Sequence, residues 1–193
     1  MGVRKGDFKK GEIEITNENI VFSNRYLTAY NDDVVFPSEV SGTYFRVVPS
    51  STVSVCVLPV AEDGDFYFLK TYRHAMRGWC FEVPKGGVEQ GEDIEAAALR
   101  ELLEESGLVA DRLVNIGVFA ESPAVLDSKL VCFAALGCRK GAEAKPEFSE
   151  AIGSVYKFST EAYHKEKKKL DFADAMTELM LLEYSGQVNA DEE

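Results

Sequence analysis

The chain has 193 residues, 46% of them hydrophobic, and its 21 Lys and Arg against 33 Asp and Glu give a formal net charge of −12. That length suits one domain, or one domain with an extension, and carries enough apolar residues to bury a core. The charge argues against loose electrostatic binding to nucleic acid or to an anionic membrane, both of which need a basic footprint, and an anionic ligand would need metal ions to offset it.

The first residues, MGVRKGDFKKGE, hold no apolar stretch for a signal peptide and no Ser or Thr at position six for myristoylation. The longest apolar run, LVCFAALG, is too short to span a bilayer. A cytoplasmic protein is expected. From Glu12 to about Tyr72, β-rich runs (EIEIT, RYLTAY, DVVF, TYFRVV, STVSVCVLPV, FYFLKTY) alternate with turn residues such as Asn31-Asp32, Ser41-Gly42 and Asp63-Gly64, which predicts an antiparallel meander. GWCFEV reads as one more strand, followed by a glycine-rich loop, PKGGVEQGE. Asp93 to Ser106 is built of helix formers with acids at its start, and Gly107 is placed to end it in a left-handed turn. LVNIGVFA, KLVCFAAL and IGSVYKFS follow as strands, separated by ESPAVLDS and GCRKGAEAKPEFSE. Two helices are predicted at the end, near Glu161–Lys169 and Phe172–Tyr184, with Gly186 beyond. Strands before and after one central helix predict an α/β sandwich, with helices on both sides of a mixed sheet.

Cys56, Cys80, Cys132 and Cys138 show no Cys-x-x-Cys spacing, and are read as buried free thiols. With only His74 and His164 in the chain, zinc is not expected. The basic run His164 to Lys169 is read as a solvated helix face.

The central helix poses the functional question. Glu101, Glu104 and Glu105 fall within an arc of about 100°, where like charges repel, while Leu99, Leu102, Leu103 and Ser106 take the other side. The expectation is a helix anchored by leucines that presents its carboxylates outward. Gly86, Gly87 and Gly91 permit close backbone approach beside it, and Arg100, four residues before Glu104, holds that carboxylate in place. An oxygen-only array of this kind suits Mg²⁺ or Mn²⁺, which shares its remaining positions with water and substrate phosphates.

These residues carry a resemblance. Gly86, Glu92, Arg100-Glu101-Leu102, Glu104-Glu105 and Gly107-Leu108, in this spacing, resemble an intact Nudix box; at average composition a chance match is rarer than roughly one in a million sequences. The resemblance implies an α/β/α sandwich that hydrolyses a nucleoside diphosphate linked to another group. It implies that Glu101, Glu104 and Glu105 bind divalent metal, about two to three ions in such sites, with a backbone carbonyl of Lys85 or Gly86 adding a ligand. It makes Arg100 the orienting residue, Glu92 and Gly107 structural, and Glu150 the general base, with Glu147 in reserve.

The stretch KTYRHAMRGWCFEVPKGG is similar to the lead-in of ADP-ribose and nucleotide-sugar pyrophosphatases. Arg73 would then contact phosphate or nucleotide and Glu82 would line the site, with Arg77 and Trp79 weaker candidates for phosphate contact and ring stacking. Pro123 in Ser122-Pro123 matches the spacing of ADP-ribose hydrolases. Ala124, Asp127 and Ser128 depart from their continuation, so a hexose-bearing nucleotide stays open beside ADP-ribose. The expected products are a nucleoside monophosphate and a sugar phosphate. Dinucleoside polyphosphate or RNA-cap hydrolysis, and a non-catalytic nucleotide-sugar sensor, are the alternatives. Tyr26, Tyr30, Phe36, Tyr44 and Phe45 carry more apolar surface than a lone meander needs, and in this subfamily such strands exchange between subunits. Residues 1–50 are accordingly read as a dimerising β extension and 51–193 as the Nudix domain.

Overall fold

The computed structural model describes residues 11–146 and 150–191. Two compact units make up the chain, the first running to Thr52 with Ala120–Ser128 added, the second comprising Val53–Phe119 and the chain from Lys129 onward.

In the first unit, β3 (Leu27–Val35) pairs with β4 (Ser41–Pro49) along its full length, from Leu27 opposite Pro49 to Val35 opposite Ser41. Its other edge takes β2 (Ile20–Ser23) near Thr28–Tyr30 and β1 (Glu14–Asn17) near Asp33–Val35. The β3–β4 turn is closed by Phe36 N–H donating to Val40 O (2.9 Å). Val47 clasps residues 125–127, donating to Val125 O (2.7 Å) and accepting from Asp127 N–H (2.9 Å). Ile20, Val21, Phe22, Tyr26 and Phe45 are exposed large apolar side chains of this unit.

The predicted meander therefore ends at Pro49. β5 (Val53–Ala61) belongs to the second sheet and pairs in parallel with β11 (Lys129–Lys140), Val53 opposite Lys129 through Val60 opposite Leu136. Both strands are buried on both faces, which is why they read as continuous apolar runs. The strand path is β10-β11-β5-β6-β12, with β10 at Arg112–Phe119, β6 at Phe66–Arg73 and β12 at Ile152–Phe158. Odd residues of β5 (Val55, Val57) and β11 (Val131, Phe133, Ala135) pack with α1 (Ile94–Ser106) through Ala97, Ala98 and Leu102. Even residues (Cys56, Leu58, Leu130, Cys132) pack on the opposite face with Tyr163 of α2 (Thr160–Glu166) and Met176 and Met180 of α3 (Ala175–Asp191). Period-two alternation on two central strands thus places helices on both sides.

β5 and β6 share the register pair Val60–Phe66 and then diverge. The gap is filled by β7 (Gly78–Glu82), paired with β6, and β8 (Lys85–Gly87), paired with β5. The first part of the predicted glycine-rich loop is thus a strand, and Leu108–Val109 forms a further short one, β9, against Arg139 and Lys140. The last helix starts at Ala175 rather than Phe172, because Asp174 accepts from Thr177 N–H (3.0 Å) and Oγ1 (2.8 Å) and so caps it. Gly186 lies inside that helix; a glycine there costs about 1 kcal/mol without ending a helix held by packing elsewhere. All four cysteines are free and buried. Among the described residues no helix is long and apolar enough to cross a membrane.

Candidate active site

Helix α1 is fixed at both ends. Asp93 accepts from Glu95 N–H (3.0 Å) and Ala96 N–H (3.1 Å), and Gly107, at φ 71°, donates its N–H to Leu103 O (2.8 Å). The face it buries differs from the sequence expectation. Leu102 is buried, but Leu99 and Leu103 are 42% and 37% exposed, while Glu101 and Glu105 are only 8% and 5% exposed. The small stripe of Ala97 and Ala98 lets the helix approach β5 and β8 closely, and positions 101 and 105 lie on that same stripe. Gly86 of β8 completes the approach, since a Cβ there would overlap the Glu101 carboxylate.

Arg100 holds more than Glu104. Its Nε and Nη2 donate to Glu92 Oε1 (2.8 Å) and Oε2 (2.9 Å), Nη2 also reaches Gly87 O (3.0 Å), and Nη1 donates to Glu101 Oε1 (2.7 Å) and Glu104 Oε2 (3.1 Å). Glu92 also accepts from Glu89 N–H (2.9 Å). The Arg100 hydrogen bonds bring the Glu92 carboxyl down to about 2, and these carboxylates hold the guanidinium firmly charged. Glu101 is shifted upward, chiefly by burial. Glu105 is pushed up to about 9, first by burial and then by the charge of Glu150, against one favourable hydrogen bond from Lys85 N–H (3.1 Å).

A second cluster stands on β6 and β7. Glu82, 2% exposed, accepts from Arg73 Nε (2.7 Å) and from Arg73 Nη2 in a two-point ion pair. Cys80 Sγ donates to Glu82 Oε1 (3.0 Å), and Lys85 Nζ lies 3.3 Å from Glu82 Oε2. Burial alone would raise the Glu82 carboxyl, but these partners outweigh it and hold it near 2. The two clusters meet at a cavity of about 480 Å³ whose lining includes Arg73, His74, Glu82, Glu105 and Glu150. Glu150 stands near enough to Glu105 there to raise its carboxyl.

Trp79, Arg77 and Pro123 are not among the lining residues of this cavity. Trp79 packs 5.5 Å from the Tyr72 ring with Lys70 Nζ 5.3 Å from its own, and its backbone N–H donates to Asp171 Oδ2 (2.7 Å). Arg77, at φ 54°, is in the β6–β7 turn. Pro123 belongs to the first unit, in a turn where Val125 and Leu126 N–H donate to Ser122 O. Glu147 falls outside the described residues. Sequence reasoning gives Cys80 only as a buried thiol and His74 only in setting zinc aside, and it does not single out Asp174. The Asp174-x-x-Thr177 spacing before an apolar run is a capping signal that would have found the last of these.

No three acidic, Cys or His side chains among the described residues converge with metal-ligand spacing; the Arg100 guanidinium bonds both Glu101 and Glu104. The donor set nevertheless fits a hard dication. It is all oxygen, and Glu105 is buried beside a like-charged neighbour, with no cation among the hydrogen-bond partners that the described residues give it. Glu101, Glu104 and Glu105 would hold such an ion.

Comparison with known proteins gives a consistent picture. The NUDIX domain matches residues 50–179. An ADP-ribose pyrophosphatase of Bacillus subtilis is 33% identical over 115 residues, 60% of this chain and 61% of that protein. A methanol dehydrogenase activator of Bacillus methanolicus is 30% identical over 120 residues, covering 62% and 64%. The matched region thus spans somewhat over six tenths of the length of these relatives. The crystal structure of an ADP compounds hydrolase superposes with a TM-score of 0.77 at 21% identity, over 93% of this chain and 96% of that one.

Proposed function

The chain belongs to the Nudix family, and on that premise we propose that it hydrolyses the diphosphate bond of ADP-ribose or a related nucleoside diphosphate sugar, releasing a nucleoside monophosphate and a sugar phosphate. The observation that carries this is the cavity in which Glu105 and Glu150 face Arg73 and Glu82. Buried carboxylates beside an anchored arginine suit an anionic substrate only if divalent cations accompany it.

A bound Mg²⁺ would polarise phosphoryl oxygens and acidify a water molecule. The residues of the chain supply the rest. Arg73, fixed by Glu82, offers its remaining guanidinium N–H groups to a substrate phosphate. Arg100 sets the directions of Glu101 and Glu104. Glu150, on the cavity wall, accepts the proton of the attacking water. The names of the relatives, ADP-ribose pyrophosphatase and ADP compounds hydrolase, support the substrate class.

The exposed Ile20, Val21, Phe22, Tyr26 and Phe45 support a homodimer formed through the N-terminal unit. Four free buried thiols support a reducing, cytoplasmic setting.

The test is product release, resolved by chromatography, from ADP-ribose, ADP-glucose, UDP-glucose, GDP-mannose, NADH and a dinucleoside polyphosphate, with and without Mg²⁺. The proposal expects a sugar nucleotide to be preferred and turnover to vanish with a chelator. Preference for the dinucleoside polyphosphate would move the substrate class, and binding without turnover on all six would make the protein a sensor.

A further inference from the structure

Glu82 was read from sequence as a carboxylate lining the site for metal or substrate, yet its two oxygens already meet Arg73 Nε, Arg73 Nη2, Cys80 Sγ and Lys85 Nζ. Of the roughly four lone-pair positions of a carboxylate, three accept hydrogen bonds from Arg73 and Cys80, and the Lys85 ammonium adds an ion pair at 3.3 Å. Lys85 Nζ is in turn 3.4 Å from Asp174 Oδ1. The other oxygen of Asp174 caps α3 through Thr177, whose Oγ1 also accepts Val83 N–H (3.2 Å). The first turn of α3 is thereby tied to the Glu82–Lys85 segment from both sides.

We infer that Glu82, Lys85 and Asp174 are positioning residues, a buried charge relay by which the first turn of α3 aims the Arg73 guanidinium at the substrate diphosphate. The inference rests on the cavity being the diphosphate site. Lys85 sits between two carboxylates, Glu82 and Asp174, at nearly equal distances. Neutralising Asp174 removes one of them and leaves the ammonium to Glu82 alone. Lys85 then competes with Arg73 for Glu82 and loosens the two-point pair that fixes the guanidinium plane. Asp174→Asn is suited to the question because asparagine caps a helix as well as aspartate does, so the charge is removed while the cap is kept.

The experiment measures KM and kcat for the preferred sugar nucleotide, the Kd of ADP without metal by calorimetry, and Tm, in the wild type, Asp174→Asn, Lys85→Met and the double variant. For Asp174→Asn the relay predicts a rise of about tenfold in KM and in the ADP Kd, with kcat changed less than about threefold, the size expected when one charge contact to a ligand is misaligned. In the double variant the effects should be non-additive, no worse than the larger single, because both act through Glu82. A lowered Tm with unchanged KM and ADP Kd would overturn the relay and leave Asp174 a helix cap. Additive KM effects would also overturn it. If the wild type neither turns over a sugar nucleotide nor binds ADP, the reading of the cavity itself fails, a result separable from failure of the variants alone.

Discussion

Glu105 is the residue on which most depends. An unfolded glutamate ionises near 4.3, and in the fold the Glu105 carboxyl is raised to about 9 by burial and by Glu150. Between those values the folded state binds more protons than the unfolded state, so the stability of the metal-free protein falls as pH rises from about 5 to 9. Glu105→Gln should flatten that fall and raise Tm at pH 8 by at least about 4 °C, while lowering turnover at least about a thousandfold. Thermal melts across pH, with and without Mg²⁺, check both signs; Mg²⁺ should stabilise the wild type more than the variant. Glu82 works the other way. Its carboxyl is held near 2, so its stabilisation is complete above about 4.3 and is lost as pH falls toward 2. Glu82→Gln should therefore reduce the acid sensitivity of the fold, as read by melts between pH 3 and 6. Two glutamates lining one cavity with opposite shifts mark where charge is compensated by the protein and where it is not.

At the scale of elements, α1 was legible because its capping residues are local. Gly107 ends the helix in a left-handed turn as expected, whereas Asp93, expected as its first residue, caps it from just outside. Its buried face was not legible, since Leu99 and Leu103 outbid Ala97 and Ala98 on hydrophobicity, and only close packing against β5 and β8 favours the small stripe. For the same reason β8 was read as loop: Lys85–Gly87 has no strand propensity, and its pairing depends on β5 diverging from β6. The Gly107 turn makes a measurable prediction. A side chain there meets both a positive φ and Ala142 O at 2.5 Å, so Gly107→Ala should cost about 1–2 kcal/mol, roughly 2–8 °C in Tm. Gly86→Ala should instead impair activity more than stability, because the overlap it creates is with the Glu101 carboxylate.

For the molecule as a whole, the Nudix box accounts for the helix and its glutamates, whereas Arg73, Glu82, Lys85 and Asp174 converge only because four separate elements fold around the gap between β5 and β6. Arg73, Glu82 and Lys85 share one stretch of sequence, KTYRHAMRGWCFEVPKGG, but Asp174 lies some ninety residues on and no pattern links it to them. The exposed apolar residues of the N-terminal unit predict a native mass of about twice the 21.4 kDa chain, and Phe22→Asp should shift light scattering toward the monomer. The central claim is that the buried carboxylates of α1 await a divalent cation. Titration of Mn²⁺ at pH 8, followed by its EPR signal, tests it directly in the wild type and in Glu105→Gln. The account predicts at least one ion bound by the wild type and affinity weakened by about tenfold or more in the variant; equal binding by the two proteins would contradict it.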